Sequence, residues 1–211
     1  MGLLEAWGDS DFYHIHSKAT RESREIYPLS LHRLSGNSVE EYYDKLSTGY
    51  DELYGPEQLR KHTKVIDFLG DKIVEIVVDV GCGTGNLLER VGKRSEMRVG
   101  IDISLRMLFK ARARLGRGRT ELIRADSKAL PIKSASADIV LAISLLEFSK
   151  GDWRSRIMEL GRIVKRRGTL AFTVFHPDRQ VLKIGRLGLR PGTRVENVSG
   201  METLYLVSDK Q

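Results

Sequence analysis

Cysteine is almost absent from this chain, since Cys82 is the single thiol in 211 residues. One cysteine excludes a disulfide within the chain and a cysteine-rich zinc site built from it alone. The sequence also lacks any run of roughly 18 apolar residues that could cross a bilayer. Its first residues lack the charged-then-apolar pattern of a signal peptide. We therefore expect a protein without a membrane span, located in the reducing cytoplasm.

Asparagine and glutamine are also scarce, while charged residues make up 30% of the chain. This composition is typical of heat-adapted proteins and predicts a thermophilic source. The apolar fraction of 41% is enough for one substantial core. The net charge of +7 permits an anionic partner such as RNA, and it is equally compatible with a solvated basic surface.

Short β-branched runs alternate with amphipathic segments from Ile73 onward. This alternation predicts an α/β fold, with helices on both faces of a mostly parallel sheet. The five predicted parallel strands cover residues 75–80, 98–102, 121–126, 138–143 and 169–174. The predicted helices cover residues 57–69, 86–93, 105–115 (with Ser104 as the N-cap) and 152–165. Alternation from Thr193 to Ser208 around Ser199-Gly200 predicts an antiparallel C-terminal hairpin.

The N-terminal part divides into two segments. Residues 1–36 show no sustained periodicity, and we interpret them as an extension of undetermined order. Residues 37–211 form the predicted domain, in which residues 37–56 are a helical lid. The lid prediction depends on an apolar stripe at helical spacing, which ordinary core packing would also explain. Its members are Val39, Tyr43, Leu46, Tyr50 and Leu53.

A glycine turn follows the most apolar predicted strand, where residues 77–86 read VVDVGCGTGN. Gly81, Gly83 and Gly85 allow a sharp turn and leave space for a ligand against bare backbone amides. A dinucleotide fingerprint needs its third glycine one place later, where this chain has Asn86. The spacing therefore favours a nucleoside ligand without a pyrophosphate.

Acidic residues stand at the ends of three predicted strands. Asp102 ends the second strand, where a carboxylate can accept hydrogen bonds from both ribose hydroxyls. Asp126 ends the third, where it could accept a proton of an adenine amine. Alternatives are that Asp79 merely orients the turn and that Asp102 caps the next helix. Their joint occurrence at one sheet edge favours an adenosine site.

Four segments occur in the order typical of one enzyme family: VVDVGCGTGNLLE, VGIDISLRML, IRADSKALPIKSASADIVLAIS and ELGRIVKRRGTL. Over about Val39 to Val174 the chain resembles class I S-adenosylmethionine-dependent methyltransferases, in particular the group of ubiquinone and menaquinone biosynthesis enzymes. The resemblance implies a Rossmann-like fold with a seven-stranded sheet. It also implies S-adenosylmethionine as cofactor and S-adenosylhomocysteine as product. Arg166-Arg167-Gly168 departs from the family's Pro-Gly-Gly turn, which we expect to alter a turn but not the cofactor site.

The same resemblance implies which residues contact each part of the cofactor. The methionine end would be held by Asp79 and by the turn Gly81, Cys82, Gly83, Thr84, Gly85 and Asn86. Asp102 would bind the ribose, Ile103 and Met107 the adenine faces, Asp126 and Ser127 the adenine edge, and Ala142 and Ile143 would line the sulfonium side. Tyr43 and Tyr50 could face the sulfonium through cation–π attraction, or they could simply pack in the core.

Several acceptor chemistries are disfavoured by what the chain lacks. No Asp-Pro-Pro-Tyr or Asn-Pro-Pro-Tyr follows the fourth strand, which disfavours adenine N6 and glutamine acceptors. Cys82 lies in the cofactor turn, which disfavours covalent methylation of pyrimidine C5. His176 follows the fifth strand and is a candidate general base, although a solvated loop histidine is the simpler interpretation. We predict no metal site, because the sequence has no further cluster of metal-ligating residues to accompany His14 and His16.

The methyl acceptor remains open between classes. A small or lipid-like molecule is the first interpretation, and RNA (tRNA or rRNA) or protein, with an activating subunit, is the second. A homodimer and a non-catalytic cofactor-binding scaffold are also compatible with the sequence. Basic residues after the fifth strand could bind an anionic acceptor. They are Arg179, Lys183, Arg186, Arg190 and Arg194.

Overall fold

The computed structural model describes residues 39–147, 153–175, 193–199 and 202–208. These residues form one seven-stranded sheet with the strand order β3-β2-β1-β4-β5-β7-β6. The strands are β1 (Val74–Val80), β2 (Ser95–Asp102), β3 (Thr120–Arg124), β4 (Ala137–Glu147), β5 (Val164–Phe175), β6 (Arg194–Ser199) and β7 (Glu202–Val207). The helices are α1 (Val39–Leu46), α2 (Tyr50–Leu69), α3 (Asn86–Val91), α4 (Leu105–Leu115) and α5 (Trp153–Ile163). The extension 1–36, His176 and the basic residues 179–190 lie outside the described residues.

Strands β1 to β5 pair in parallel, whereas β7 pairs antiparallel with both β5 and β6. The predicted α/β fold and C-terminal hairpin are therefore confirmed. Arg166-Arg167-Gly168, predicted as a turn before the fifth strand, lie within β5, which begins directly after α5. They fall at an irregularity, because the β4–β5 register shifts between the pairs Ala137–Val164 and Ile139–Thr169. A Cβ on Gly168 would come within 2.8 Å of the Asp138 carbonyl oxygen, so glycine allows the two backbones to approach.

The two faces of the sheet bury alternate side chains of each strand. Val77 faces a core cluster that includes Val65 of α2 and Ala111 of α4. Val78 faces the opposite cluster, which includes Leu160 of α5. Helices therefore cover both faces, as the apolar strands predict. Within the described ranges, no helix is long and apolar enough to span a membrane.

The N-terminal helices differ from the predicted single stripe. The chain turns at residues 47–49, and α2 then runs for 20 residues through Pro56 rather than beginning at Glu57. A proline in the second turn removes only one helical hydrogen bond, which packing of the long helix can offset. Because of the turn, Val39 and Leu53 stay exposed instead of joining a buried stripe.

Candidate cofactor site

The glycine turn after β1 has the backbone geometry that its sequence predicts. Gly81, Gly83 and Gly85 all have positive φ angles, of 76°, 52° and 79°. The amides of Gly81 and Cys82 donate to the Ile101 carbonyl at 2.7 and 3.0 Å, which ties the turn to β2. A Cβ on Gly83 would meet no heavy atom within 4 Å, so open space adjoins the turn there.

Asp102 lies at the end of β2 and is 9% exposed. Its carboxylate accepts hydrogen bonds from the backbone amides of Gly83 and Ser104, both at 2.9 Å. The Ile103 amide also contributes a backbone hydrogen bond, and a carboxylate has about four lone-pair positions, so acceptor capacity remains for a ligand. Burial is the main reason that the pKa of Asp102 is raised. The cap of α4 is Ser104, whose hydroxyl accepts from the Met107 amide, and Asp102 therefore remains available to bind a ribose.

Asp79 is the acidic residue of β1 beside the turn, and it is 3% exposed. Burial, followed by the negative charge of Asp102, raises the pKa of Asp79 to about 7. Neither cause is offset by a cation or a hydrogen-bond donor among the described residues. Asp79 is therefore a buried carboxyl group that a cationic ligand would stabilise in its charged form.

We expect Asp79→Asn to stabilise the ligand-free protein at pH 8. Because the pKa of Asp79 is raised, this carboxyl group holds a proton in the folded protein between pH 4 and 7, where it has lost it in the unfolded chain. The free energy of unfolding therefore falls as the pH rises through that window and stays low above it. The gain from the substitution should reach about 2–4 kcal/mol at pH 8. Urea unfolding of both proteins from pH 4 to 8 measures it, and a gain that does not grow with pH would contradict the raised pKa.

A cavity of about 40 Å³ lies between the glycine turn and α2. The turn side contributes Asp79, Gly81, Cys82, Gly83, Thr84 and Asn86. The α2 side contributes Tyr50, Asp51, Gly55, Gln58 and His62. Only Tyr50 of this second set was predicted. The signal for the others is the spacing of 51, 55, 58 and 62, which places them along one helical face.

His62 faces this cavity and is 6% exposed. Its Nδ1 atom is buried without a hydrogen-bond partner among the described residues. Burial, followed by the charges of Arg90 and Lys61, lowers the pKa of His62 to about 4. The imidazole is therefore neutral at pH 7.

The N-terminal helices are attached to the site by two aspartates. Asp51 of α2 accepts a hydrogen bond from the Thr84 hydroxyl at 2.7 Å and pairs with Arg114 at 2.5 Å. Asp44 of α1 accepts from the Ser104 hydroxyl at 2.5 Å. These contacts connect α1 and the start of α2 to the segments that follow β1 and β2.

The predicted adenine residues lie beyond β3 and at the start of α4. β3 ends at Arg124, and Asp126 follows it in a loop, where its carboxylate accepts from the Lys128 amide at 3.0 Å. Arg156 of α5 contacts both Asp126 and the Ser127 hydroxyl, an interaction that sequence reasoning missed. Ile103 is half-buried in the loop after β2, and Met107 is buried in α4.

A polar network borders the cavity at the end of β4. Ile143 lines the cavity, whereas Ala142 is fully buried. Ser144 follows with a left-handed φ of 59°, and its hydroxyl accepts from the Lys61 ammonium at 2.8 Å and from the Gln58 amide at 3.1 Å. Of the two predicted aromatic residues, Tyr50 lines the cavity, whereas Tyr43 packs edge-on against Tyr42 outside the set of lining residues.

These features fit the two ends of an adenosyl amino acid. Asp102 has acceptor capacity for hydroxyls and Gly83 borders open space. Among the described residues, no cation pairs with Asp79 and no hydrogen-bond partner reaches His62 Nδ1. Nothing in this set matches a pyrophosphate, which would require basic groups or a longer series of free amides.

Comparison with known proteins agrees with this geometry. The sequence family described as "Methyltransferase domain" matches residues 77–168. A demethylmenaquinone methyltransferase of Tropheryma whipplei is 32% identical over 177 residues, covering 83% of this chain and 69% of that protein. An uncharacterized protein of Methanocaldococcus jannaschii is 32% identical over 151 residues, covering 70% of this chain. The chain spans 56% of the length of that relative.

Solved structures show the same fold. The N-methyltransferase NodS of Bradyrhizobium japonicum, in complex with S-adenosyl-l-homocysteine, has a TM-score of 0.68 at 14% identity, over 83% of this chain and 100% of that one. A chain from the complex of the Haloferax volcanii Trm112 methyltransferase activator with a methyltransferase has a TM-score of 0.56 at 26% identity, over 66% of this chain and 62% of that one.

The strand order and the similarity to these structures define a Rossmann-like α/β domain. The chain belongs to the class I S-adenosylmethionine-dependent methyltransferases, near the ubiquinone and menaquinone group. S-adenosylmethionine is accordingly its cofactor.

Proposed function

We propose that this chain transfers the methyl group of S-adenosylmethionine to a small or lipid-like acceptor. The cofactor half of this proposal is supported by two observations: Asp79 and the glycine turn line one cavity, and Asp102 accepts a hydrogen bond from the Gly83 amide of that turn. In this assignment Asp102 accepts the ribose hydroxyls and Asp79 faces the methionyl ammonium. Adenine lies toward Ile103 and Asp126, and the sulfonium lies toward Ile143.

The chemistry needs few catalytic side chains. The bound sulfonium supplies an activated methyl group, and its transfer is an in-line displacement that requires no covalent enzyme intermediate. The protein therefore contributes by aligning the acceptor and excluding water. In this proposal α1 and α2 do the latter, because Asp44 and Asp51 attach them across the strand ends. His176 remains a candidate base for an acceptor that must lose a proton.

The small or lipid-like acceptor is favoured by the similarity to the Tropheryma whipplei demethylmenaquinone methyltransferase. RNA or protein is the second candidate, with an activating subunit as partner. It is supported by the related chain from the Haloferax volcanii complex and by the basic sequence. Leu105 and Phe109 of α4 are 41% and 65% exposed, and they offer an apolar surface to such a partner or to a second copy.

Labelled-methyl transfer decides between these acceptors. The full chain is incubated with methyl-labelled S-adenosylmethionine and with separate lipid, small-molecule, RNA and protein fractions of a cell extract. We expect the label in the lipid or small-molecule fraction. Label in RNA or protein, above all if it appears only after co-expression with a Trm112 protein, would favour the second candidate. Label in no fraction, despite cofactor binding, would favour a scaffold.

A further inference from the structure

Strand β4 is distorted where it reaches the cavity. Residues 143–145 of β4 lie opposite the single residue Thr173 of β5, so the strand forms a bulge between its regular pairs. Ser144, in the middle of the bulge, has a φ of 59°, a conformation that costs a residue other than glycine free energy. Bulges and strained residues are frequent beside functional sites, where surrounding contacts hold them. A role beyond strand pairing is therefore indicated for Ser144.

The contacts that hold Ser144 come from three elements. Its backbone amide donates to the Thr173 hydroxyl of β5 at 2.6 Å. Its own hydroxyl lies 2.8 Å from the Lys61 ammonium and 3.1 Å from the Gln58 amide nitrogen, both of α2. The same hydroxyl lies 3.3 Å from the carboxylate of Glu202, the residue of β7 that pairs with Lys61. Ser144 thus connects α2 to the C-terminal hairpin at the end of β4.

The groups around the Ser144 hydroxyl determine how the Gln58 carboxamide is oriented. A hydroxyl has one hydrogen to donate and two lone pairs. Lys61 can only donate and occupies one lone pair, whereas the Glu202 carboxylate can only accept and takes the hydrogen. The second lone pair requires an N–H, so the amide nitrogen of Gln58 faces Ser144. The side-chain oxygen of Gln58 is then left without a hydrogen-bond donor among the described residues.

Gln58 lines the cavity together with Ile143, the residue before Ser144. In the proposed function the sulfonium lies toward Ile143. We infer that the Gln58 side-chain oxygen borders the methyl-transfer end of the cavity and accepts a hydrogen bond from the methyl acceptor, and that Ser144 positions it. This inference rests on the proposed function. It implies an acceptor with an O–H or N–H at or beside the atom that receives the methyl group.

Sinefungin can locate this oxygen, because it carries an amino group where S-adenosylmethionine carries the transferable methyl group. S-adenosylhomocysteine has neither group and is the reference ligand. Calorimetry on the full chain compares both ligands in the wild type and in three variants, and thermal unfolding verifies the fold of each. Gln58→Met removes the carboxamide at similar length, and Ser144→Gly removes the hydroxyl while glycine keeps the left-handed backbone. Arg60→Met is the matched control at an exposed position of α2.

We expect Gln58→Met to weaken sinefungin binding by about 10- to 100-fold, because a hydrogen bond to a charged amino group is lost. Ser144→Gly should weaken it by about three- to tenfold, because the carboxamide loses the partner that fixes its orientation. Both variants should change the affinity for S-adenosylhomocysteine by less than about threefold, and Arg60→Met should change neither affinity.

Equal losses for the two ligands, unchanged sinefungin binding in Gln58→Met, or a wild type that binds only S-adenosylhomocysteine would each overturn the inference. A selective loss in Gln58→Met without one in Ser144→Gly would refute the positioning role of Ser144. In the labelled-methyl experiment, methylation of an acceptor without an O–H or N–H at or beside the methylated atom would refute the acceptor class. If the wild type binds neither ligand, the proposed function itself fails.

Discussion

Asp102→Ala is expected to lower the affinity for S-adenosylmethionine by at least about 100-fold. The remaining acceptor capacity of this carboxylate is assigned to the ribose hydroxyls, and each hydrogen bond to a charged group contributes about 1.5–3 kcal/mol. The substitution also removes the acceptor that holds the Gly83 amide, and so loosens the turn itself. Calorimetric titration with S-adenosylmethionine or S-adenosylhomocysteine measures the loss.

Asp71→Ala is the matched control for this change, because Asp71 has a fully exposed side chain in the loop before β1. It removes the same charge far from the strand ends and should leave the affinity unchanged. Asp102→Asn keeps one acceptor oxygen and should fall between Asp102→Ala and the wild type. Unaltered affinity in Asp102→Ala would refute the ribose assignment and with it the proposed orientation of the cofactor.

Lys61→Met should produce the largest loss of stability among the substitutions considered. Lys61 and Glu202 are each 2% exposed and form an ion pair, which Glu57 joins through Lys61 at 2.6 Å. Removing the ammonium leaves a buried carboxylate without its counter-charge, which typically costs about 3–5 kcal/mol. For a chain of this size that corresponds to a fall in Tm of roughly 6–20 °C, measurable by urea and thermal unfolding.

The double variant Lys61→Met/Glu202→Gln separates the charge from the packing. With both ionised groups replaced, most of the lost stability should return, because Gln costs far less to bury than an unpaired carboxylate. The coupling energy from this double-mutant cycle should therefore exceed about 1 kcal/mol. Additive losses would mean that Lys61 stabilises the fold through its aliphatic stem alone, in conflict with the ion pair.

The sheet was largely predictable from the sequence because local patterns determine it. Buried parallel strands need nearly continuous apolar runs, as in VVDV, and the turns between elements need glycine or a capping residue such as Ser104. The first and last residues of the strands were harder to predict from the sequence. β5 begins at Val164, which pairs with Ala137 of β4, and pairing resumes only at Thr169. Arg166 and Arg167 lie in the irregular stretch between these pairs, and their polar side chains resemble a turn.

The turn side of the site was likewise predictable, whereas the α2 side was not. Gly81, Gly83 and Asp102 lie in segments whose spacing alone indicates a ligand. His62 and Gln58 belong to a helix with Pro56 inside it, and their proximity to Asn86 and Ser144 depends on how that helix packs on the sheet. Long-range packing of this kind leaves no local signature, and the same holds for Lys61 with Glu202.

The position of β7 determines the order in which the fold can be completed. The last strand lies between β5 and β6, is buried along its whole length and carries the partner of Lys61. During synthesis the N-terminal helices and five parallel strands therefore appear while one edge of β5 is unpaired and Lys61 lacks Glu202, one of its two carboxylate partners. Contacts between such distant segments slow folding. The strand Glu202–Val207 thus completes the core, and a nascent chain that stops before Glu202 has the cofactor turn but not a closed core.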